Sequence, residues 1–325
     1  MTGARSEAGA RGHAGASPLS QGRLTADAAG GLYWEPAAET LPRERLEELQ
    51  LERLRATLAN AHENVPFYRK RMDGLGIEPG DMRERSDVAR LPLTTKIDLR
   101  DHYPFGMFAR PREQVVRVHA SSGTTGNPTT VGYTAGDIDL WADLIARTLA
   151  AGGVTPGDLL QNMIGYGLFT GGLGLHLSAE RLGCTVVPIS GGNTERQLKI
   201  MRDFGASVLS CTPSYAMYLA DAARDRGLRP EDIPLRVGFH GAEPWTNELR
   251  AQIEAGLGAH ALDIYGLSEM GGPGVAYECL CKAGMHINED HYLAEVIDPH
   301  SLRPLPHGEV GELVFTTLSR EAQPL

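Results

Sequence analysis

Cysteine is scarce in this 325-residue chain. Its four residues, Cys184, Cys211, Cys279 and Cys281, are too few for a disulfide-built scaffold and suit a reducing cytoplasm. Apolar runs of membrane-spanning length are lacking, and so is a secretory pattern, so the chain reads as cytoplasmic with no membrane partner. Positive charge is also short: the formal net charge is -10 and no basic run occurs, which argues against a nucleic-acid partner. No lysine stands between Lys96 and Lys199, so no Gly-Lys-Ser/Thr phosphate loop of the Walker kind lies there. Aromatic residues make up only 6% of the chain, so any local cluster of them carries information.

Hydrophobic residues account for 42%, enough to bury the core of one large or two medium domains. The densest chemistry lies in Ser121-Ser122-Gly123-Thr124-Thr125-Gly126-Asn127-Pro128-Thr129. Glycines let the backbone curl so that N–H groups converge on an anion, and the hydroxyls add donors, one of them within reach of a bound magnesium ion. Alternating β-branched residues over 114–120 read as a strand feeding this loop. On composition alone, an ordinary surface turn is the commoner explanation of such a cluster.

The rest of the chain sorts into regions. Residues 1–31, rich in Ala, Gly, Ser and Arg without apolar periodicity, read as a disordered leader. Residues 32–110 form a helical N-terminal segment, in which Leu46, Leu49, Leu54 and Leu58 predict an amphipathic helix closed at Pro66, and Thr94-Thr95-Lys96 a later helix start. From 111 to 270 helices and strands alternate. Helices are expected over 136–151, 170–182, 193–204, 214–226 and 247–255, and strands over 159–164, 185–189, 206–211, 235–240 and 259–265. That order predicts an α/β core with parallel sheets layered between helices. Beyond 271 short strands over 291–297 and 312–317 predict a small antiparallel β region.

In parallel α/β folds ligands collect at the carboxyl ends of strands, and three segments are expected there: the Ser121 loop, Gly241-Ala242-Glu243-Pro244-Trp245, and Tyr265-Gly266-Leu267-Ser268-Glu269. Together they resemble the adenylate-forming enzymes (acyl-CoA synthetases, adenylation domains and luciferases). With Tyr166-Gly167-Leu168-Phe169 and Cys211-Thr212-Pro213-Ser214-Tyr215 they resemble the phenylacetate-CoA ligase branch, over about residues 34–325. The resemblance implies that Ser121, Ser122, Gly123, Thr124, Thr125 and Gly126 hold the ATP phosphates. It implies that Gly241, Ala242, Glu243, Pro244, Asp263, Tyr265, Gly266 and Ser268 hold the rest of the nucleotide, with Tyr265 stacked on adenine. Thr124 and Glu269 are the implied catalytic residues, Glu269 as the magnesium ligand, since hard Mg²⁺ prefers oxygen donors. ATP, Mg²⁺ and CoA are the implied cofactors and co-substrates. The implied reaction joins a carboxylate to AMP and then to CoA, work done by positioning rather than by a protein nucleophile. The resemblance also implies that the chain is the large N-terminal domain only, stopping before an Arg-Tyr-Arg-Thr-x-Asp-like segment and a mobile C-terminal domain.

The acid is expected against Tyr166, Gly167 and Phe169, with Gly241 and Gly266 nearby, and an aromatic acid fits that mixture. His240 stands where relatives usually carry an apolar or aromatic residue. Its imidazole suggests a hydroxy- or amino-benzoic acid such as a hydroxyanthranilate, with phenylacetate the alternative. Cys279, Cys281, His286 and His291 raise a zinc site as a lesser alternative to an unmetallated loop, because their spacing fits no standard finger. A homodimer, a carrier protein as acyl acceptor, and a noncatalytic aryl-acid or nucleotide-binding module remain open as partner and function readings.

Overall fold

The computed structural model describes residues 24–28, 30–121 and 126–324. Residues 1–23 of the expected leader, and Ser122, Gly123, Thr124 and Thr125 of the expected phosphate loop, lie outside the described residues. The described part of the leader is ordered into a hairpin: β1 (Thr25–Ala26) pairs antiparallel with β2 (Leu32–Tyr33), and the Asp27 carboxylate accepts the Gly31 N–H at 2.7 Å across the turn. A short α1 (Pro36–Glu39) follows.

The expected amphipathic helix is α2 (Arg43–Asn64), which buries Leu46, Gln50, Leu54, Thr57, Leu58 and Ala61 along one stripe. Pro66 does not simply end it. Proline is well suited to a first helical position, where its missing N–H is not needed, and it opens α3 (Pro66–Leu75) immediately. Thr95 and Asp98 form a reciprocal capping box at the start of α4 (Lys96–Asp101), as the Thr-Thr-Lys sequence predicts.

Residues 117–133 depart from the expected parallel pattern. β3 (Arg117–Ala120) turns back through the Ser121 loop into β4 (Thr130–Tyr133), and the two form an isolated antiparallel pair. The loop therefore tips a hairpin and does not cap a strand of the main sheet. The return strand was hidden because its Thr-Val start directly follows the loop's own threonines.

The alternation that follows is realised as expected: α5 (Ala135–Ala151), β5 (Leu159–Asn162), α6 (Gly171–Leu182), β6 (Thr185–Val187), α7 (Thr194–Phe204), β7 (Val208–Cys211), α8 (Pro213–Asp225), β8 (Val237–His240), α9 (Asn247–Leu257) and β9 (His260–Leu267). Thr134 and Asp137 cap α5 reciprocally, and its apolar face carries Trp141, Ile145 and Leu149. Two further strands, β10 (Gly272–Glu278) and β11 (Met285–Ile287), extend the sheet to seven, in the order β11-β10-β9-β8-β7-β5-β6. From β6 to β9 the pairings are parallel, and β10 and β11 are antiparallel additions. The sheet thus continues across residue 270. β12 (Tyr292–Ile297) and β13 (Glu312–Thr317) make the small antiparallel sheet near the end.

Alternate side chains of the buried strands feed two cores. Val208, Val237, Phe239 and Leu262 meet α5 and α6, while Leu209, Cys211 and Ala261 meet α7, α8 and α9. Among the described residues, no helix is long and apolar enough to cross a membrane.

Candidate active site

The hairpin and the segment after β5 meet at one carbonyl. The Leu168 oxygen accepts the Ala120 N–H at 3.0 Å and the His119 Nδ1–H at 3.0 Å. One residue on, the neck of the loop is closed: Ser121 N–H donates to the Thr129 carbonyl and the Ser121 hydroxyl accepts the Thr129 N–H, both at 2.9 Å. Gly126, at φ +136°, takes a backbone conformation that favours glycine as the loop returns. The strand that leads into the expected phosphate loop is therefore hydrogen-bonded to the segment expected to hold the acid.

The acid segment is oriented from below by a residue the sequence reading passed over. Asn162, buried at the end of β5, donates to the Tyr166 hydroxyl at 2.8 Å and to the Gly172 carbonyl at 2.7 Å, while its own oxygen accepts from the Ser210 hydroxyl at 2.9 Å. The Tyr166 hydroxyl also meets His176 Nδ1 at 3.1 Å, and burial pushes its pKa up. β5 carries two buried amides side by side, Gln161 and Asn162, so the sequence did not single Asn162 out. The space beside Gly167 is open, and Leu168 and Phe169 project with about half their surface exposed (54% and 52%).

On the sheet side, Gly241 and Gly266 are glycines for lack of room. A Cβ at Gly241 would lie 2.4 Å from the Ile264 carbonyl oxygen, and one at Gly266 2.0 Å from the Gly272 carbonyl oxygen. Ala242 holds φ +71°, and Glu243 reaches across to accept the Ser214 N–H of α8 at 2.6 Å, joining the 241–245 turn to the 211–215 segment. Tyr265, the last residue of the expected strand, lies inside β9, which pairing with β10 prolongs to Leu267; its ring tilts against Phe315 of β13 at 6.0 Å and is part-exposed. Asp263 is half-buried, and burial pushes its carboxyl pKa up. Ser268 and Glu269 occupy a 3₁₀ turn that closes at Gly271, φ +98°. Behind it, Tyr292, Tyr133 and Trp141 donate to the carbonyls of Met270 (3.0 Å), Gly271 (3.0 Å) and Pro273 (2.8 Å). Glu269 is part-exposed and forms no ion pair among the described residues.

His240 is not where the sequence reading needs it. Its imidazole lies on the α8 and α9 face, 3.2 Å from the Cys211 carbonyl and edge-on to Trp245 at 5.7 Å, and is only 1% exposed. Alternation along β8 turns it into that core, and burial pulls its pKa down to about 4. So sealed a group does not face an open pocket.

The zinc alternative fails on placement. Among the described residues, no three His, Cys, Asp or Glu side chains gather as a metal site. His291 is buried against Asp290 at 3.1 Å and bonded to Ser319, while His286 lies on β11 tilted against Tyr277. Cys279, Cys281 and His286 line a cavity of about 1130 Å³ between residues 27–46 and 277–290. Size alone does not make that cavity the active site: none of residues 121–129, 166–169, 241–245 or 263–269 lines it, and its cations Arg43, Arg147 and Arg236 are already paired with Glu289, Asp290 and Asp158.

Comparison with known proteins gives the family and the fold. A sequence profile described as AMP-binding enzyme matches residues 78–319. Phenylacetate-coenzyme A ligase of Thermus thermophilus is 57% identical over 295 residues, covering 90% of this chain and 66% of the relative. The Escherichia coli protein of the same name is 55% identical over 289 residues, covering 88% and 66%. The chain thus spans 66% of the length of these relatives. An open conformation of 2-hydroxyisobutyryl-CoA ligase, solved with 2-HIB-AMP and CoA, superimposes with a TM-score of 0.85 at 31% identity, over 90% of this chain and 70% of that one.

Proposed function

Because the chain belongs to the AMP-binding enzyme family, with phenylacetate-coenzyme A ligases among its homologues, we propose that it is the adenylating part of an acid–thiol ligase acting on an aromatic acid. One observation carries the reading beyond kinship: the shared Leu168 carbonyl, which ties the end of β3, where the chain enters the Ser121 loop, to the Tyr166–Phe169 segment. An acid on one side of that bond and a triphosphate on the other are neighbours, as direct transfer between them requires.

In the reaction proposed, a carboxylate oxygen bonds the α-phosphorus of ATP as the bond to pyrophosphate breaks. The thiol sulfur of CoA then bonds the acyl carbon and AMP departs. Gly241, Ala242, Glu243 and Pro244 take the adenine edge, Tyr265 its face, and Asp263, Gly266 and Ser268 the neighbouring sugar and phosphate. Ser121 to Gly126 take the outer phosphates, and Tyr166, Gly167 and Phe169 the ring of the acid. The unpaired, part-exposed Glu269 carboxylate fits a hard divalent cation, and bound Mg²⁺ would supply neutralisation of phosphate charge there.

The acid we propose is phenylacetate or a similar arylacetate, in keeping with the names of the relatives. The hydroxy- or amino-benzoate reading rested on His240, whose burial withdraws that support. Calorimetric titration of the chain with phenylacetate and with 3-hydroxyanthranilate, each with and without an ATP analogue, tests the choice. Tighter phenylacetate binding is expected; a clear preference for hydroxyanthranilate would overturn it.

A further inference from the structure

We propose that His119 is a positioning residue that couples occupancy of the acid segment to the phosphate loop, through its hydrogen bond to the Leu168 carbonyl. The inference rests on the functional reading above for the identity of the two ligands, and on geometry for the link between them.

The segment around Leu168 has little packing of its own, since the Leu168 and Phe169 side chains are each about half exposed. Among the described residues, its Leu168 carbonyl takes two donors from the hairpin, the Ala120 N–H and His119 Nδ1, each at 3.0 Å. A carbonyl only accepts, so Nδ1 carries a proton. Burial pulls the His119 pKa down, which favours the neutral ring with its lone pair on Nε2. That Nε2 is buried and has no hydrogen-bond partner among the described residues. Leaving a buried polar atom unpaired is costly, and a phenylalanine would fill the same space without that cost. The imidazole is thus explained by what Nδ1 does. The ring is fixed edge-on to Tyr133 at 5.5 Å and to Trp141 at 6.1 Å, so it does not swing to follow the segment. A ligand that shifts Leu168 must therefore strain this bond or carry β3 with it, and β3 leads directly into the Ser121 neck.

The same face of the hairpin carries a second link. Tyr133, against which His119 packs, donates to the Gly271 carbonyl at 3.0 Å, two residues after Glu269. The hairpin is therefore bolted at one end to the acid segment and at the other to the turn that carries Glu269.

The test is a two-ligand binding cycle on the chain. Calorimetry measures the affinity for phenylacetate alone, for a nonhydrolysable ATP analogue alone, and for each in the presence of the other. In the native chain each ligand should tighten the other by roughly tenfold, the usual scale of coupling between sites. His119→Asn, whose side-chain amide can donate from the position of Nδ1, should keep the coupling within about threefold of that value. His119→Phe, which keeps the ring and loses the donor, should bring it to about one. His119→Gln, whose amide reaches beyond the Nδ1 position, should do the same and serves if the phenylalanine variant fails to fold. Coupling retained in a folded Phe or Gln variant overturns the proposal, and so does a native chain that binds both ligands independently. If Phe and Gln both unfold while Asn folds, the bond serves the fold alone and the proposal is again overturned. A native chain that binds neither ligand refutes the functional reading instead, which keeps the two failures apart.

Discussion

The two sides of the candidate site are built by opposite means. The side expected to hold adenine grows out of the main sheet, where Gly241, just after β8, and Gly266, within β9 against β10, lie so close to neighbouring backbone that a Cβ has no room. The side expected to hold phosphates and acid is an appended hairpin and an exposed segment, joined by a few hydrogen bonds. On the first side, steric exclusion fixes shape and side-chain identity matters little beyond size. On the second, donors and acceptors fix shape, and single atoms matter. Rigidity where a common nucleotide binds, and adjustability where the acid varies, is a division that lets one fold serve many acids.

The largest expected effect breaks the rigid side. Gly266→Ala brings a Cβ to 2.0 Å from the Gly272 carbonyl, a backbone atom that cannot step aside, so β9 and β10 must part. Chemical denaturation should show a loss of about 3 kcal/mol or more. A loss below about 1 kcal/mol would mean that the strands yield easily and the contrast is false. The next effect comes from the same side and is read as a pH dependence. His240 is held neutral by burial, at about 4 against an ordinary value near 6.5. Between those values the unfolded chain binds a proton that the folded chain refuses, so stability is full above about pH 6.5 and falls as pH drops toward 4. The drop amounts to about 3 kcal/mol for this one group, and His240→Leu should flatten it in denaturation curves taken across that range.

What the sequence made legible follows the same division. The alternating core was readable because each strand is a short apolar run closed by turn residues, and most of its elements fall within a few residues of expectation. Other features were not. β4 was hidden by the threonines it shares with the loop, and Pro66 was read as a stop although proline also starts helices. His240 was assigned by its neighbours Gly241 to Pro244, although the period of two along β8 turns it away from them. The site residues supplied by strand-end turns were legible as motifs. Those that act through backbone carbonyls, such as the Leu168 oxygen, leave no trace in side-chain identity. Asn162, His119 and Tyr133 are visible only once their partners are brought near.

Two smaller effects sharpen the contrast at the seam with the hairpin and on the sheet side. Glu269→Gln removes a charge from a side chain that has no ion pair among the described residues, so the fold should not register it. Mg²⁺-dependent affinity for an ATP analogue should nevertheless fall by roughly tenfold in calorimetry, since hydrogen bonds and ligation by charged groups outweigh neutral ones. Unchanged affinity would remove Glu269 from the proposed magnesium site. Smallest is Glu243→Gln. Its carboxylate meets the Ser214 N–H at the first turn of α8, where unpaired N–H groups and the helix dipole favour negative charge. The amide keeps an acceptor and loses the charge, so the cost should be about 0.5 kcal/mol, at the low end for a surface helix end, and should shrink in high salt. If the turn at 241–245 were held by side-chain chemistry, as the hairpin is, this substitution would loosen it and weaken nucleotide binding as well. If steric closeness holds it, stability drops slightly and nucleotide affinity does not change.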